Sequence, residues 1–538
     1  MHPSQARAHS AAKLLTLVGV FLSTAANSAD LPLDPIVVTA TRQPTRSNEL
    51  MSDVSVITRE EIEQAGETSL AQLLARQPGI QYIANGGAGS NSGVFIRGAA
   101  NNQSILLIDG QRVGSATNGS PALSRIPLDQ IERIEILRGP ASSLYGADAI
   151  GGVIQIFTRR GEGPPRVNAS TGYGSYQTSD TTVGVSGGTD LVSYSVQAGY
   201  IDTRGFSAVH NKQDSNYNPD RDGYYNRNLS ASFAVRPAKD QEIGANLLAS
   251  QGTNQYDAND FGPLGAAPNY NSDQTVSSYS LYSRNRVNAT WTSTLRVGRS
   301  TDDARDHAGT VRSASFRTDM DQASWQNDIK LPVGEALLAA EYTQQKVSGT
   351  TDYAVSERTI RSLLAGWSGR IDQHRLQFNL RRDDNSQFGG ETTGSASYGY
   401  QFTPEWRAHV SYGTAFRAPT FNELYFPASF LFAGGNPELK PERAKNTEVG
   451  VNWEHASHRF GAVFYNNDLT DLIEFRRIFL RPADGIPLHV IGFIEAIEDG
   501  ARAAPAYTAT LRALGLGKER PMAPRILVWC WSGRGRWA

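Results

Sequence analysis

Along much of the chain after Arg166, apolar and polar residues alternate one for one. In LVSYSVQAGY the residues Val192, Tyr194, Val196, Ala198 and Tyr200 fall on one side, and Ser193, Ser195, Gln197 and Gly199 on the other. The same period recurs in WRAHVSY, which groups Trp406, Ala408, Val410 and Tyr412, and in RLQFNL, which groups Leu376, Phe378 and Leu380. A period of two is that of a β-strand, whose successive side chains point to opposite faces. Each such strand carries one apolar and one polar face. In a soluble sandwich the apolar face turns inward, whereas in an outer-membrane barrel it turns to lipid and the polar face lines the lumen. Periodicity alone does not choose between them. Aromatics at strand ends, a mixture of tight and long acidic connections, and roughly 300 residues without a helical pattern favour the barrel.

Residues 45 to about 160 read differently, as a compact mixed α/β unit. Thr58-Arg59-Glu60-Glu61 has the spacing of a capping box, and the helix it opens should stop at Gly66. A second helix follows, with Leu70, Leu73 and Leu74 on one face and Pro78-Gly79 as its break. Strands are expected at VFIRG (94–98), at SILLIDGQRV with a tight hairpin at Asp109-Gly110, at IERIEILRGP, and at the apolar run GGVIQIFTRR. Ahead of this unit, Lys13, LLTLVGVFL and a small-residue stretch ending at Ala29 have the form of a secretory signal peptide over 1–29. The apolar run is far shorter than the roughly 20 residues that span a bilayer as a helix.

Composition narrows the classes. The chain has 538 residues, a mean hydropathy of -0.40 and no later candidate for a membrane helix, which leaves a secreted soluble protein or a barrel. Lysine plus arginine (51) nearly balances aspartate plus glutamate (53), so charge makes no case for a nucleic-acid partner. A single cysteine, Cys530, excludes an intrachain disulfide framework and a multi-cysteine metal site.

Candidate chemistry lies in loops. ANGGAGSNSG and VGSATNGSPA offer Asn85, Asn91, Ser115 and Asn118 to a large ligand, as a few polar groups in a concave site. Neither loop has the GK[ST] of a phosphate loop or GxGxxG spacing, so no nucleotide cofactor is expected. NPDRDG supplies Asn218, Asp220 and Asp222, and NQYDAND supplies Asp257 with Asp260 nearby. Alternating oxygen donors on a flexible loop suit calcium, although Asp and Gly also serve any hydrophilic turn. His455 and His458 read as surface residues, and no nucleophile–base constellation marks an enzyme.

Several motifs resemble a known family. DPIVVTATR (Asp34, Pro35, Ile36, Val37, Val38, Thr39, Ala40, Thr41, Arg42) looks like a TonB box. FIRG, LLIDGQRV, IERIEILRGPASSLYGADAIGGVIQI, SYGTAFRAPTFNELY and NPELKPERAKNTEVG resemble signatures of TonB-dependent outer-membrane receptors, in family order. The resemblance implies a transmembrane β-barrel of about 22 strands with an N-terminal α/β plug domain in its lumen. It further implies that residues 34–42 join TonB, energised by ExbB/ExbD, by strand addition. Pro44 and the polar residues after it are expected to keep this segment from docking permanently on the plug. Arg97 and Arg138 match plug arginines that face wall glutamates in the family, and Glu448 matches one of those glutamates.

Within the family the chain is similar to cobalamin receptors. Their calcium-binding carboxylates fall at Asp220, Asp222 and Asp257, with Asn218 in place of another donor. Ser207 stands where a further aspartate would be, which should weaken calcium. The function expected is TonB-dependent import of cobalamin, or another bulky chelate, by a monomer in the outer-membrane lipid of a Gram-negative bacterium. The alternative is a ferric siderophore or haem receptor of the same architecture.

The resemblance stops near Arg477. Residues 478–538 lose the sustained alternation and do not end on the aromatic of family barrels. Residues 166–477 supply only about 15 or 16 strands, at roughly 20 residues per strand and connection. An unclosed barrel would leave an edge unpaired in lipid. The expectation is therefore a partial barrel with missing C-terminal strands and a tail out of frame, which adds a non-functional truncated product to the alternatives to import; the other reading of the tail is a divergent but genuine ending.

Overall fold

The computed structural model describes residues 36–475, apart from 215, 259–268, 429–433, 456, 457 and the side chain of 459. Beyond them it describes only backbone, within the strands Leu472–Leu480, Leu488–Ile497, Gly500–Arg502 and Ile526–Gly533. The expected signal peptide, Asp34, Pro35 and Asp260 lie outside the described residues.

The N-terminal unit runs β1 (Ile36–Val37), β2 (Thr45–Arg46), β3 (Val54–Thr58), α1 (Arg59–Ala65), α2 (Leu70–Ala75), β4 (Ile80–Ala84) and β5 (Ser92–Ile96). It continues with β6 (Ser104–Ile108), β7 (Gln111–Val113), β8 (Ile131–Arg138), α3 (Ser142–Tyr145) and β9 (Gly152–Thr158). The central sheet has the order β3-β8-β9-β6-β7. Local chemistry sets its connections. Thr58 and Glu61 close a reciprocal capping box on α1, and Gly66 ends the helix at φ 68. Asp109 and Gly110 both take positive φ, which a two-residue hairpin between β6 and β7 demands. β9 is buried along its whole length. Its Ile154 and Ile156 pack with Leu70 and Leu74 of α2, Ile134 of β8, and Leu248 and Val276 contributed by the surrounding wall. The unit thus shares its core with the wall instead of standing apart from it.

That wall is a 16-stranded antiparallel sheet beginning at β10 (Arg166–Gly174). Strands follow chain order to His458–Thr470, after which Ile526–Gly533 adds to the end. The facing of the strands settles the question that periodicity left open. Ser195 and Gln197 are 1% and 3% exposed, whereas Val196 and Tyr200 are 42% and 47% exposed. Gln377 and Asn379 are likewise buried beside exposed Phe378 and Leu380, and His409 beside exposed Trp406, Val410 and Tyr412. Polar side chains point at the plug and apolar ones point outward, the arrangement lipid requires.

Among the described residues no pairing joins β10 to the far end of the sheet, and β10 is exposed over nearly its whole length. Leu472–Leu480 forms a separate small sheet with Leu488–Ile497 and Gly500–Arg502. Within 478–538, where sustained alternation was missing, the β-branched and aromatic run ILVWCWSG nevertheless takes a place in the wall.

Candidate functional site

The segment that resembles a TonB box is docked on the plug in this structure. Val37 and Ala40 join an apolar cluster with Ile105, Leu107, Leu137 and Val153, and Thr39, Thr41 and Gln43 are buried. The polar anchor is Glu135 in the middle of β8, which is 0% exposed. Its Oε2 accepts from the Val38 and Thr39 amides, each at 2.9 Å, and from Thr39 Oγ1 at 2.7 Å. The Tyr145 hydroxyl donates to the Thr39 carbonyl at 2.9 Å. Arg42 pairs with Glu341 of the wall at 2.6 Å, and Glu341 also takes Arg381 at 2.7 Å. Buried backbone donors need acceptors, and a carboxylate supplies a strong one. The polar flank after Pro44 does not oppose this. Glu135 is one of four charged residues in IERIEILR, so the sequence alone does not single it out as the anchor.

The plug–wall latch forms on one side. Arg97 Nη1 lies 2.5 Å from Glu448 Oε2, and Nη2 lies 2.8 Å from Asp53. The guanidinium stands 4.4 Å over the Tyr465 ring, and the other oxygen of Glu448 contacts His409 Nε2 at 3.1 Å. Arg138 meets no wall carboxylate among the described residues, which end, for side chains, at residue 475. Its Nη1 pairs with the plug's own Asp53 at 3.2 Å, its Nε donates to the Pro78 carbonyl at 2.9 Å, and Nη2 is buried without a partner. Asp53 sits between the two arginines and serves both. Neither Asp53 nor His409 was anticipated, because their roles depend on what folds beside them.

The acidic loops converge. Oxygens of Asp220, Asp222 and Asp257 all lie within 4.8 Å of one another. Burial, and then the charge of Asp257, pushes the Asp222 carboxyl up to about 6 and raises that of Asp220. Asp220 Oδ1 is buried with no hydrogen-bond partner. Three hard oxygen donors, one of them orphaned, fit a divalent cation such as calcium. Ser207 Oγ donates to Asp257 at 2.9 Å, and the Ala208 amide donates to Asp222 at 3.3 Å. The side chain of Asn218 donates instead to Asn269 at 2.9 Å.

One of the two polar plug loops, that of Asn85 and Asn91, packs against the chain that carries this trio, whereas the loop of Ser115 and Asn118 meets Thr318, Phe421 and Asn422 of the wall. A Cβ on Gly87 would meet Phe206 at 3.4 Å, and one on Gly89, at φ +71, would fall 2.1 Å from the Tyr224 ring, so only glycine fits there. Asn85 and Asn91 are exposed, with the Asn85 amide bonded to the Asn91 carbonyl at 3.1 Å. Ser115 contacts Thr117 at 2.6 Å, and Asn118 accepts from the Ser120 amide at 2.9 Å, so these two stiffen their own turn. His455 is a surface residue, near Glu405 at 3.8 Å.

A sheet that turns polar side chains onto an α/β plug and apolar ones outward defines an outer-membrane β-barrel with an occluded lumen. Residues 46–153 match the family model for the TonB-dependent receptor plug domain, and residues 137–481 match that for the TonB-dependent receptor-like β-barrel. The chain belongs to the TonB-dependent receptors of the Gram-negative outer membrane.

Among curated proteins it is 32% identical over 448 residues to the vitamin B12 transporter BtuB of Photobacterium profundum, covering 82% of this chain and 70% of that one. To BtuB of Vibrio vulnificus it is 29% identical over 451 residues, covering 82% and 71%. Solved structures share the fold. A point mutant of the ferric enterobactin receptor PfeA of Pseudomonas aeruginosa, in complex with enterobactin, aligns with a TM-score of 0.68 at 20% identity, covering 83% of this chain and 78% of that one. The siderophore receptor PirA of Acinetobacter baumannii aligns at 0.66 and 19%, covering 83% and 77%.

Proposed function

We propose that this receptor takes up cobalamin across the outer membrane, with calcium ordering its acidic loops and TonB supplying the force. The observation that carries the reading is the meeting of Asp220, Asp222 and Asp257 beside the plug loop of Asn85 and Asn91. The likeness to two vitamin B12 transporters supports it. Asn85, Asn91, Ser115 and Asn118 would bind the ligand, and Asp220, Asp222 and Asp257 would hold the cation, which neutralises their repulsion and draws the two loops together. Asn218 is positioned nearby but spends its amide on Asn269.

Asp34–Arg42 is the segment offered to TonB. Its release from Glu135, Tyr145 and Glu341 exposes backbone that can add as a strand to a partner sheet. ExbB/ExbD would energise the pull. Arg97 and Glu448 then set the resistance of the plug, because a buried pair gives back much of its Coulomb gain to desolvation. The test is titration of the purified full chain with cyanocobalamin, with and without calcium. Tight calcium-dependent binding is expected. Binding of a ferric siderophore or haem, and not of cyanocobalamin, would overturn the ligand assignment.

A further inference from the structure

We infer that Arg125 of the plug is the positioning residue through which a cation in the acidic trio locks the plug to the wall. The inference rests on the calcium reading above. Arg125 ends the short 3-10 turn Leu123–Arg125 and is 2% exposed. Its Nε donates to Gln274 at 2.8 Å, Nη2 donates to Asn254, and the guanidinium stands 5.4 Å over the Tyr224 ring. Nη1 is buried without a partner. Among the described residues no carboxylate is in ion-pair contact with it. Asp302 is reached only through Gln274, whose Nε2 donates to it at 3.1 Å.

The partners of this guanidinium are the roots of the acidic loops. Tyr224 and Asn254 face each other across neighbouring wall strands. Asp222 precedes Tyr224 by two residues, and Asp257 follows Asn254 by three. Tyr224 also abuts Gly89 of the plug loop. One plug cation therefore touches both arms that carry the trio.

With the trio empty, three carboxylates push these arms apart; a bound cation draws them together. An arginine locked in a direct ion pair would hardly respond. Contacts to neutral amides and a ring weaken steeply with distance and angle, so this seat responds to small shifts of the loops that extend beyond the ladder pair Tyr224 and Asn254. Linkage is reciprocal: if the cation tightens the seat, the seat tightens the cation by the same factor.

The experiment measures calcium affinity by calorimetry on the full chain, and hydrogen exchange of the amides of 123–126 with and without calcium. In the wild type, calcium should slow exchange of this turn. Arg125→Met should still bind calcium, about fivefold or more weakly, with the calcium-dependent protection lost. Arg125→Lys should restore part of both. If the methionine variant does not fold, Asn254→Ala, which removes the wall acceptor, is read the same way. Wild-type affinity and undiminished calcium-dependent protection in the variant would overturn the role of Arg125. A wild type that binds no calcium would overturn the trio reading and this inference with it.

Discussion

Glu135→Gln should free the segment of residues 36–42 while leaving the rest of the plug folded. In the native protein one carboxylate oxygen gathers three donors, from Val38 N, Thr39 N and Thr39 Oγ1. Hydrogen bonds to an ionised acceptor contribute about 1.5–3 kcal/mol each, roughly twice a neutral one. Gln keeps one acceptor oxygen but loses the charge, and presents an amide N–H₂ near Arg133, whose Nε now lies 3.0 Å from the carboxylate. Halving three such bonds, without assuming full additivity, costs docking about 2–4 kcal/mol. That is about a 30- to 700-fold rise in the open population, at about 1.4 kcal/mol per tenfold.

Hydrogen exchange of peptides covering 36–43 reads this directly, since local opening governs exchange there. Thr39→Val removes a single donor worth about 1.5–3 kcal/mol and should raise exchange by about 10- to 140-fold. Peptides covering β9 serve as the control for plug integrity. If Glu135→Gln leaves exchange of 36–43 within about threefold of wild type while β9 stays protected, the carboxylate is not what holds the segment.

Two further outcomes follow from the same contacts. The Asp222 carboxyl, pushed up to about 6 when the trio is empty, must lose its proton to hold a cation. Calcium affinity should be flat above about pH 7 and fall about tenfold by pH 5, and the calcium-induced rise in melting temperature should be largest above about pH 7, where the empty trio is fully charged and least stable; a pH-independent affinity would refute this. Arg97→Met leaves Glu448 buried with His409 as its neighbour, and should lower plug stability in urea by about 3–5 kcal/mol. Glu448→Gln should cost less, because Arg97 keeps Asp53 at 2.8 Å; equal losses would show that the wall carboxylate, not the desolvated arginine, dominates.

What could be read along the chain were features set by residues a few positions apart. Thr58 and Glu61 cap a helix because they sit three residues apart, Asp109-Gly110 turns a hairpin because both residues accept positive φ, and alternation marks each wall strand. The convergence of Asp220 and Asp222 with Asp257 was legible only through family resemblance, since nothing local ties the two loops together.

The tertiary structure decided the rest. Whether Val196 or Gln197 faces the interior is not encoded in alternation, because a sandwich and a membrane barrel share the pattern; the plug, by filling the lumen, assigns the polar face to it. Thr39 meets Glu135 across 96 residues and Arg97 meets Glu448 across 351, and Arg125 finds its seat on two separate wall strands. Hydrogen bonds and ion pairs act over a few ångströms of space. The sequence by itself determined which segments form strands and turns, and chain folding determined which buried charge stands within that reach of another.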